Sequence, residues 1–136
     1  MKVKTLSVQQ PDADLIASGE KTIEIRKWRT HYRGPLLIAS SARPANQGPA
    51  GVALALVDLH AVEPMRRGDW RAACTDWYAP GLFSWHVRVL LAIDVPWPIK
   101  GRLGIYETDA RSAALRAAIV AWGREHAPGR GRVSKS

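Results

Sequence analysis

The chain has 136 residues, of which 46% are hydrophobic, and a formal net charge of +8 from 20 basic and 12 acidic side chains. This length fits one domain with its own core, and no apolar stretch approaches the roughly 20 residues that a membrane-spanning helix needs. The single cysteine excludes an internal disulfide and a cysteine-rich zinc site. We therefore expect one cytoplasmic domain over residues 1–126, without metal or cofactor, followed by a basic disordered tail over 127–136.

The positive charge is concentrated in two segments. Residues 21–33 contain five Lys and Arg side chains against a single Glu, and the segment after Gly123 contains four against one. A large positive excess on a small domain favours a polyanionic partner, of which nucleic acid is the commonest. The alternative interpretation is a solubilising surface, and for the C-terminal segment the two interpretations are equally open.

The predicted elements begin with a strand over Lys2–Val8 and a short helix that starts at Pro11 and ends at Ser18, before the stop residue Gly19. Further strands are expected over residues 21–27, 35–40, 51–62, 83–95 and 103–106. The polar and aromatic segment 64–81 is the least predictable part of the chain, and Asp109 is expected to cap a last helix that runs to about residue 126. Few helices and no regular strand–helix alternation indicate an α+β, mostly β fold, a small β-barrel with flanking helices.

The chemistry-bearing residues are concentrated in segment 19–28. On a strand, Glu24, Arg26 and Trp28 share one face, and the isoleucines between them face the core. A carboxylate accepts from an exocyclic amino group, a guanidinium pairs with a phosphate or a guanine edge, and an indole stacks on a base. Lys21 joins this face only if it lies in the turn that precedes the strand. The alternative is an exposed strand on which Glu24 and Arg26 form a surface ion pair of little consequence.

Within that segment, the pattern Gly-x-Lys-x-x-Glu-x-Arg at residues 19–26 resembles the signature of the ASCH superfamily, a group of PUA-like domains. The resemblance covers roughly residues 2–107 and extends to segments 6–11, 28–38, 83–85 and 96–106. It implies a PUA-like β-barrel of five to six strands with flanking helices. It also implies a cleft between barrel and helices, into which Lys21, Glu24 and Arg26 project.

The resemblance carries two kinds of function. The family is associated with binding RNA or other nucleic acid, and some members are hydrolases: one branch removes the acyl group from N4-acetylcytidine, and a ribonuclease activity belongs to another. In the deacetylating branch a Lys activates a Thr three residues later, where this chain has Glu24. Only Glu63 and Asp69 are candidates for the carboxylate that assists in that branch, so the motif does not transfer its activity to this chain.

We expect a nucleic-acid-binding module that takes RNA, single-stranded nucleic acid or one modified nucleotide into a basic cleft. Glu24 is predicted to contact a base edge, the basic residues to meet phosphate, and Trp28 or Trp85 to stack, although Trp85 fits a core or cleft-floor position better. The predicted contacts are Lys21, Glu24, Arg26, Lys27, Trp28, Arg29, Trp85 and Lys100.

Two other functions stay open at this point. One is a small hydrolase that acts on a modified nucleoside, in the manner of an N4-acetylcytidine amidohydrolase, or on RNA, with Lys21 and Glu24 as its acid–base pair. The other is a protein-interaction module on which the basic face is incidental. The nucleic-acid module and the interaction module differ in whether the basic segment 21–33 and the aromatic residues share one cleft.

Overall fold

The computed structural model describes residues 1–42 and 48–128. The six strands and two α-helices found in these two ranges confirm the α+β, mostly β class. The elements are β1 (Lys2–Val8), α1 (Asp12–Ser18), β2 (Ile23–Arg26), β3 (Gly34–Ser40), β4 (Ala53–Pro64), a 3-10 turn (Arg67–Trp70), β5 (Phe83–Ala92), β6 (Ile105–Asp109) and α2 (Ala113–Glu125). From residue 129 onward, the predicted disordered tail lies outside the described residues.

The strands form a single sheet in the order β2-β5-β4-β3-β1-β6. Only β1 and β3 pair in parallel among the described strands, and the other neighbours are antiparallel. The sheet curls but is not closed into a barrel by strand pairing. Instead, the Arg26 side chain at the end of β2 donates from Nη2 to the Ser7 carbonyl oxygen at the end of β1, at 2.9 Å. We call the gap between these two strand ends the seam.

The core lies on both faces of the curled sheet. Side chains of β3 alternate between the two faces, so Leu36 packs with Ile16 of α1, and Leu37 packs with Leu115 of α2. All four side chains have no measurable exposure. The two helices therefore cover opposite faces of the sheet. Burying each such side chain stabilises the fold by about 1.5–3 kcal/mol.

The prediction that Asp109 caps the last helix is wrong. Asp109 is the final residue of β6, where it pairs with Lys2 of β1 in the strand ladder and through a 2.8 Å ion pair. The helix α2 begins after Ser112, whose hydroxyl oxygen accepts the backbone N–H of Leu115 at 3.2 Å. Pairing of β6 with β1 takes Asp109 into the sheet, and the next residue suited to capping starts the helix.

The segment between β4 and β5 contains one 3-10 turn and is otherwise irregular. The Asp69 carboxylate anchors it by accepting the backbone N–H of Arg66 at 2.9 Å and the hydroxyl of Ser84 at 2.8 Å. Burial raises the pKa of Asp69, but these two hydrogen bonds and the nearby charges of His86 and Arg66 together outweigh that effect and hold the pKa below its ordinary value. Within the ranges that the structure describes, no helix is both long and apolar enough to cross a membrane.

Candidate functional site

A cleft of about 850 Å³ opens at the seam, between the end of β1 and the residues of β2. Its floor consists of four charged side chains, its walls carry two tryptophans, and its rim carries basic and apolar residues. The lining residues include Asp12, Lys21, Glu24 and Arg26 on the floor, Trp28 and Trp77 on the walls, and Lys27, Arg102 and Leu103 on the rim.

Lys21 lies in the turn between α1 and β2, which is the position that it needs to reach the cleft. Gly19 ends the helix in a left-handed conformation with φ of +84°, and the chain then turns inward. As a result Lys21 is only 2% exposed. Its ammonium donates to the Ala73 carbonyl oxygen at 2.6 Å. Glu24 Oε1 follows at 3.7 Å and Asp12 Oδ2 at 3.9 Å, both beyond hydrogen-bond distance.

The Lys21 ammonium therefore has unused hydrogen-bonding capacity. An ammonium has three N–H donors, and among the described residues only the Ala73 carbonyl lies within hydrogen-bond distance. The two carboxylates balance the charge without engaging the remaining donors. A buried polar group normally finds partners, so these donors are available to a ligand atom that enters the cleft.

Glu24 and Arg26 share one face of β2, as predicted from the alternation of a strand. Arg26 Nε donates to Glu24 Oε2 at 2.9 Å, and the same guanidinium bridges the seam to Ser7. The surface ion pair considered above is wrong because Glu24 is only 7% exposed. Burial raises the pKa of the Glu24 carboxyl, and the charges of Arg26 and Lys21 offset only part of that shift.

The two tryptophans of the prediction have different positions. Trp85 on β5 pairs with Glu24 on β2 and is fully buried, which agrees with the core position preferred for it and excludes the alternative that it stacks on a bound base. Its indole Nε1 donates to the Trp28 carbonyl oxygen at 3.1 Å. The two rings meet edge to face, with centroids 4.7 Å apart. Trp85 thus supports Trp28, which is 37% exposed and lines the cleft.

The basic residues of the prediction are divided between the cleft and its surroundings. Lys27 is exposed on the rim, whereas Arg29 and Lys100 lie outside the lining. The loop after Lys100 does reach the cleft and brings Arg102 to the rim, a residue that the sequence analysis missed. Gly101 allows this close approach, since a Cβ there would lie 3.2 Å from the Ser7 hydroxyl oxygen. Part of the basic segment 21–33 and the exposed Trp28 therefore share one cleft.

The second carboxylate beside Lys21 is Asp12, and the candidates Glu63 and Asp69 lie elsewhere. Glu63 pairs with Arg66 at 3.3 Å, and Asp69 is engaged by the hydrogen bonds described above. Asp12 is the first residue of α1, and the turn after α1 brings the Lys21 ammonium to 3.9 Å from its carboxylate. The only sequence signal for it was its place in the first turn of the predicted helix.

The chemistry of this cleft is that of polar recognition beside a flat apolar surface. Its floor offers ammonium donors and carboxylate acceptors, and Trp28 offers an indole face next to them. In residues 1–42 and 48–128, no group of three or more His, Cys, Asp or Glu side chains is placed to hold a metal ion. Donors, acceptors and a stacking surface together suit a planar heterocycle.

Within the described residues, the six-stranded sheet with one helix on each face and a polar cleft at its seam defines a small mostly-β domain. The family model of the ASCH domain matches residues 6–97, which is more than half of the chain. The chain therefore belongs to the ASCH domain family. A comparison with curated proteins found no match.

Solved structures of ASCH from Zymomonas mobilis have the same fold. The crystal structure of that protein matches with a TM-score of 0.61 and 15% identity, over 87% of this chain and 93% of that one. One mutant of it matches with a TM-score of 0.57 and 14% identity, over 89% of this chain and 98% of the mutant. A second mutant gives 0.55 and 15%, over 87% and 94%. At this identity the similarity establishes the fold alone.

Proposed function

We propose that this ASCH domain binds RNA or single-stranded DNA by taking one base into the cleft and holding the adjoining phosphates at the rim. The observation that carries the proposal is the cluster of buried Lys21 and Glu24 with the partly buried Arg26, open to a cleft whose wall is the exposed Trp28. A basic rim lies above this cluster, so the neutral base would bind at the floor and the anionic phosphates would bind at the rim.

The charges of the floor favour a base over a phosphate. Lys21 and Arg26 supply two positive charges, and Asp12 and Glu24 supply two negative ones, all within ion-pair distance of a partner. A phosphate placed among them would bring unbalanced negative charge next to two carboxylates. This differs from the sequence-based expectation that Lys21 and Arg26 meet phosphate, and it assigns both residues to the base.

A base edge with neighbouring donors and acceptors fits the groups on the floor. The unused donors of Lys21 suit a base carbonyl oxygen, and the Glu24 carboxylate suits an exocyclic amino group or a ring N–H. Trp28 would stack on the base plane, an interaction that contributes about 1–3 kcal/mol per base.

The rim supplies free positive charge for phosphates. Lys27 and Arg102 are exposed, and neither pairs with a carboxylate among the described residues. Each phosphate that a protein neutralises on a single strand lowers the slope of log K against log salt by about 0.7. Binding through two rim residues therefore predicts a clear dependence on salt concentration.

The test is fluorescence anisotropy of short labelled RNA and DNA strands at two salt concentrations. We expect Trp28→Leu to weaken binding at least about five-fold, because stacking is lost. The double variant Lys27→Gln with Arg102→Gln should weaken binding at low salt and flatten the salt dependence. Arg111→Gln removes an exposed charge outside the cleft and serves as the matched control. Binding that ignores both salt and Trp28 would contradict the proposal.

A hydrolase is the second candidate, and one observation favours it. Lys21 and a carboxylate of raised pKa, that of Glu24, lie 3.7 Å apart at the same cleft. Raised carboxyl pKa values suit proton transfer near neutral pH. The substrate class would be a modified nucleoside of the N4-acylcytidine kind, or RNA, with Lys21 and Glu24 as the acid–base pair. Product that forms with the wild type and is lost in a folded Lys21→Ala variant supports this activity, and an inert wild type refutes it.

A further inference from the structure

Three exposed arginines outside the cleft each lie over an aromatic ring. The distances from guanidinium carbon to ring centroid are 5.4 Å for Arg29 over Phe83, 4.8 Å for Arg67 over Tyr78 and 5.2 Å for Arg71 over Trp70. All three are within the range of cation–π contacts. We call these three pairs the arginine–aromatic track.

The guanidinium groups of the track are available to a ligand. Among the described residues, none of these three arginines forms an ion pair with a carboxylate or donates a side-chain hydrogen bond. In contrast, Arg26, Arg66 and Arg88 each pair with a carboxylate. The track therefore presents positive charge and unused donors, while the ring contacts orient each guanidinium plane.

The track is continuous with the walls of the cleft. Arg29 directly follows Trp28, and Tyr78 directly follows Trp77, so a cleft residue adjoins each of two pairs. Trp70 connects to the same wall, because its carbonyl oxygen accepts the backbone N–H of Thr75, another lining residue, at 2.9 Å.

The ends of two paired strands connect the separate parts of the track. Phe83, the first residue of β5, pairs with Pro64, the last residue of β4. The backbone N–H of Met65 then donates to the Leu82 carbonyl oxygen at 2.9 Å, and the 3-10 turn that begins at Arg67 follows. The Arg29 and Arg67 pairs therefore lie at the same end of the sheet.

We propose that the arginine–aromatic track binds the part of a nucleic acid strand that flanks the base in the cleft. This inference rests on the proposed function and extends it from one nucleotide to a longer segment. Charge alone would also suit an acidic protein. The ring-backed planes favour a single strand, because successive bases stack on aromatic rings and guanidinium groups while its phosphates accept their hydrogen bonds.

The test compares labelled strands of about three and about twelve nucleotides over a series of salt concentrations. For Arg67→Gln with Arg71→Gln, we expect the longer strand to bind about ten-fold more weakly and its salt slope to fall by about 1.4, or 0.7 for each of two phosphates. The short strand should bind as before, because it reaches only the cleft. The matched control, Arg111→Gln with Arg116→Gln, removes two exposed charges near the start of α2 and should change neither strand.

A second double variant separates charge from planarity. Arg67→Lys with Arg71→Lys keeps both charges but removes the planar group, so the salt slope should be retained while affinity for the longer strand falls. Thermal melting checks that each variant is folded. The inference is overturned if the longer strand binds no tighter than the short one, or if the glutamine variant behaves like its control.

Failure of the inference and failure of the proposed function give different results. If Trp28→Leu weakens both strands and the track variants weaken neither, the cleft binds nucleic acid and the track does not. If Trp28→Leu weakens neither strand while the track variants weaken the longer one, the proposal that the cleft binds a base is refuted. The inference that the track extends that cleft is then refuted as well. If the wild type binds no strand of either length, both proposals are refuted.

Discussion

Lys21→Met should destabilise the protein chiefly through Glu24. The substitution keeps a long side chain but removes the ammonium that lies 3.7 Å from the Glu24 carboxylate and donates to Ala73 at 2.6 Å. Removing one partner of a buried ion pair costs about 3–5 kcal/mol. Arg26 still contacts the same carboxylate at 2.9 Å, and the other carboxylate, Asp12, is 45% exposed. We therefore expect a loss of about 2–3 kcal/mol in the free energy of unfolding.

The size of this loss should depend on pH. Burial raises the pKa of Glu24 above its ordinary value of 4.5, and Lys21 is one of the charges that oppose the rise. At a pH between the ordinary pKa of the unfolded chain and the raised pKa of the folded protein, the native state binds more protons than the unfolded state. This carboxyl therefore makes the free energy of unfolding fall as pH increases through that range. Without Lys21 the pKa of Glu24 rises further. The loss caused by Lys21→Met should therefore be larger at about pH 7 than at about pH 4.

Urea denaturation of the wild type, Lys21→Met, Glu24→Gln and the double variant measures the interaction directly. We expect a coupling free energy of about 1–3 kcal/mol, because each single variant removes the contact between the two charged groups. Lys2→Met is the matched control, since Lys2 forms its ion pair at the surface and should contribute little. Single losses that add to within about 0.5 kcal/mol would refute the coupled floor.

Three further predictions concern the supports of the site and the fold. Trp85→Phe removes the hydrogen bond to the Trp28 carbonyl and should lower the free energy of unfolding by about 2–3 kcal/mol. In the anisotropy assay it should also weaken nucleic acid binding, and unchanged affinity would argue that Trp85 does not support Trp28. Ser112→Ala should lower the free energy of unfolding by about 1 kcal/mol, because the cap of α2 is lost. Asp109→Ala should leave thermal stability nearly unchanged, and a larger loss for Asp109→Ala than for Ser112→Ala would contradict the assignment of Ser112 as the cap. Gly19→Ala meets no neighbouring atom but requires φ of +84°, so a loss of about 1 kcal/mol is expected from backbone strain alone, and an unchanged urea midpoint would exclude it.

Local patterns predicted most of the strands and part of the site. Alternation placed Glu24 and Arg26 on one face of β2, and Gly19 marked the end of α1 and hence the turn in which Lys21 lies. These features depend on residues close together in the sequence. The same holds for the buried strand β3, whose apolar residues serve both faces of the sheet.

Contacts between distant segments could not be predicted from the sequence. The carbonyl of Ala73 and the carboxylate of Asp12 reach Lys21 only because the irregular segment after β4 and the start of α1 meet at the cleft. Composition alone does not reveal a backbone carbonyl as a ligand. Asp109 and Ser112 are both good capping residues, and only the pairing of β6 with β1 decides between them.

Position 26 belongs to the framework and to the proposed recognition surface at once. The guanidinium of Arg26 lines the cleft, holds the Glu24 carboxylate and joins two strand ends that no backbone hydrogen bond connects among the described residues. A substitution there would remove the link across the seam together with a side chain that lines the cleft, so a loss of the proposed binding in such a variant would have two inseparable causes. Trp28 and Lys27, which line the cleft without spanning the gap, are the cleaner positions at which to test the proposed binding.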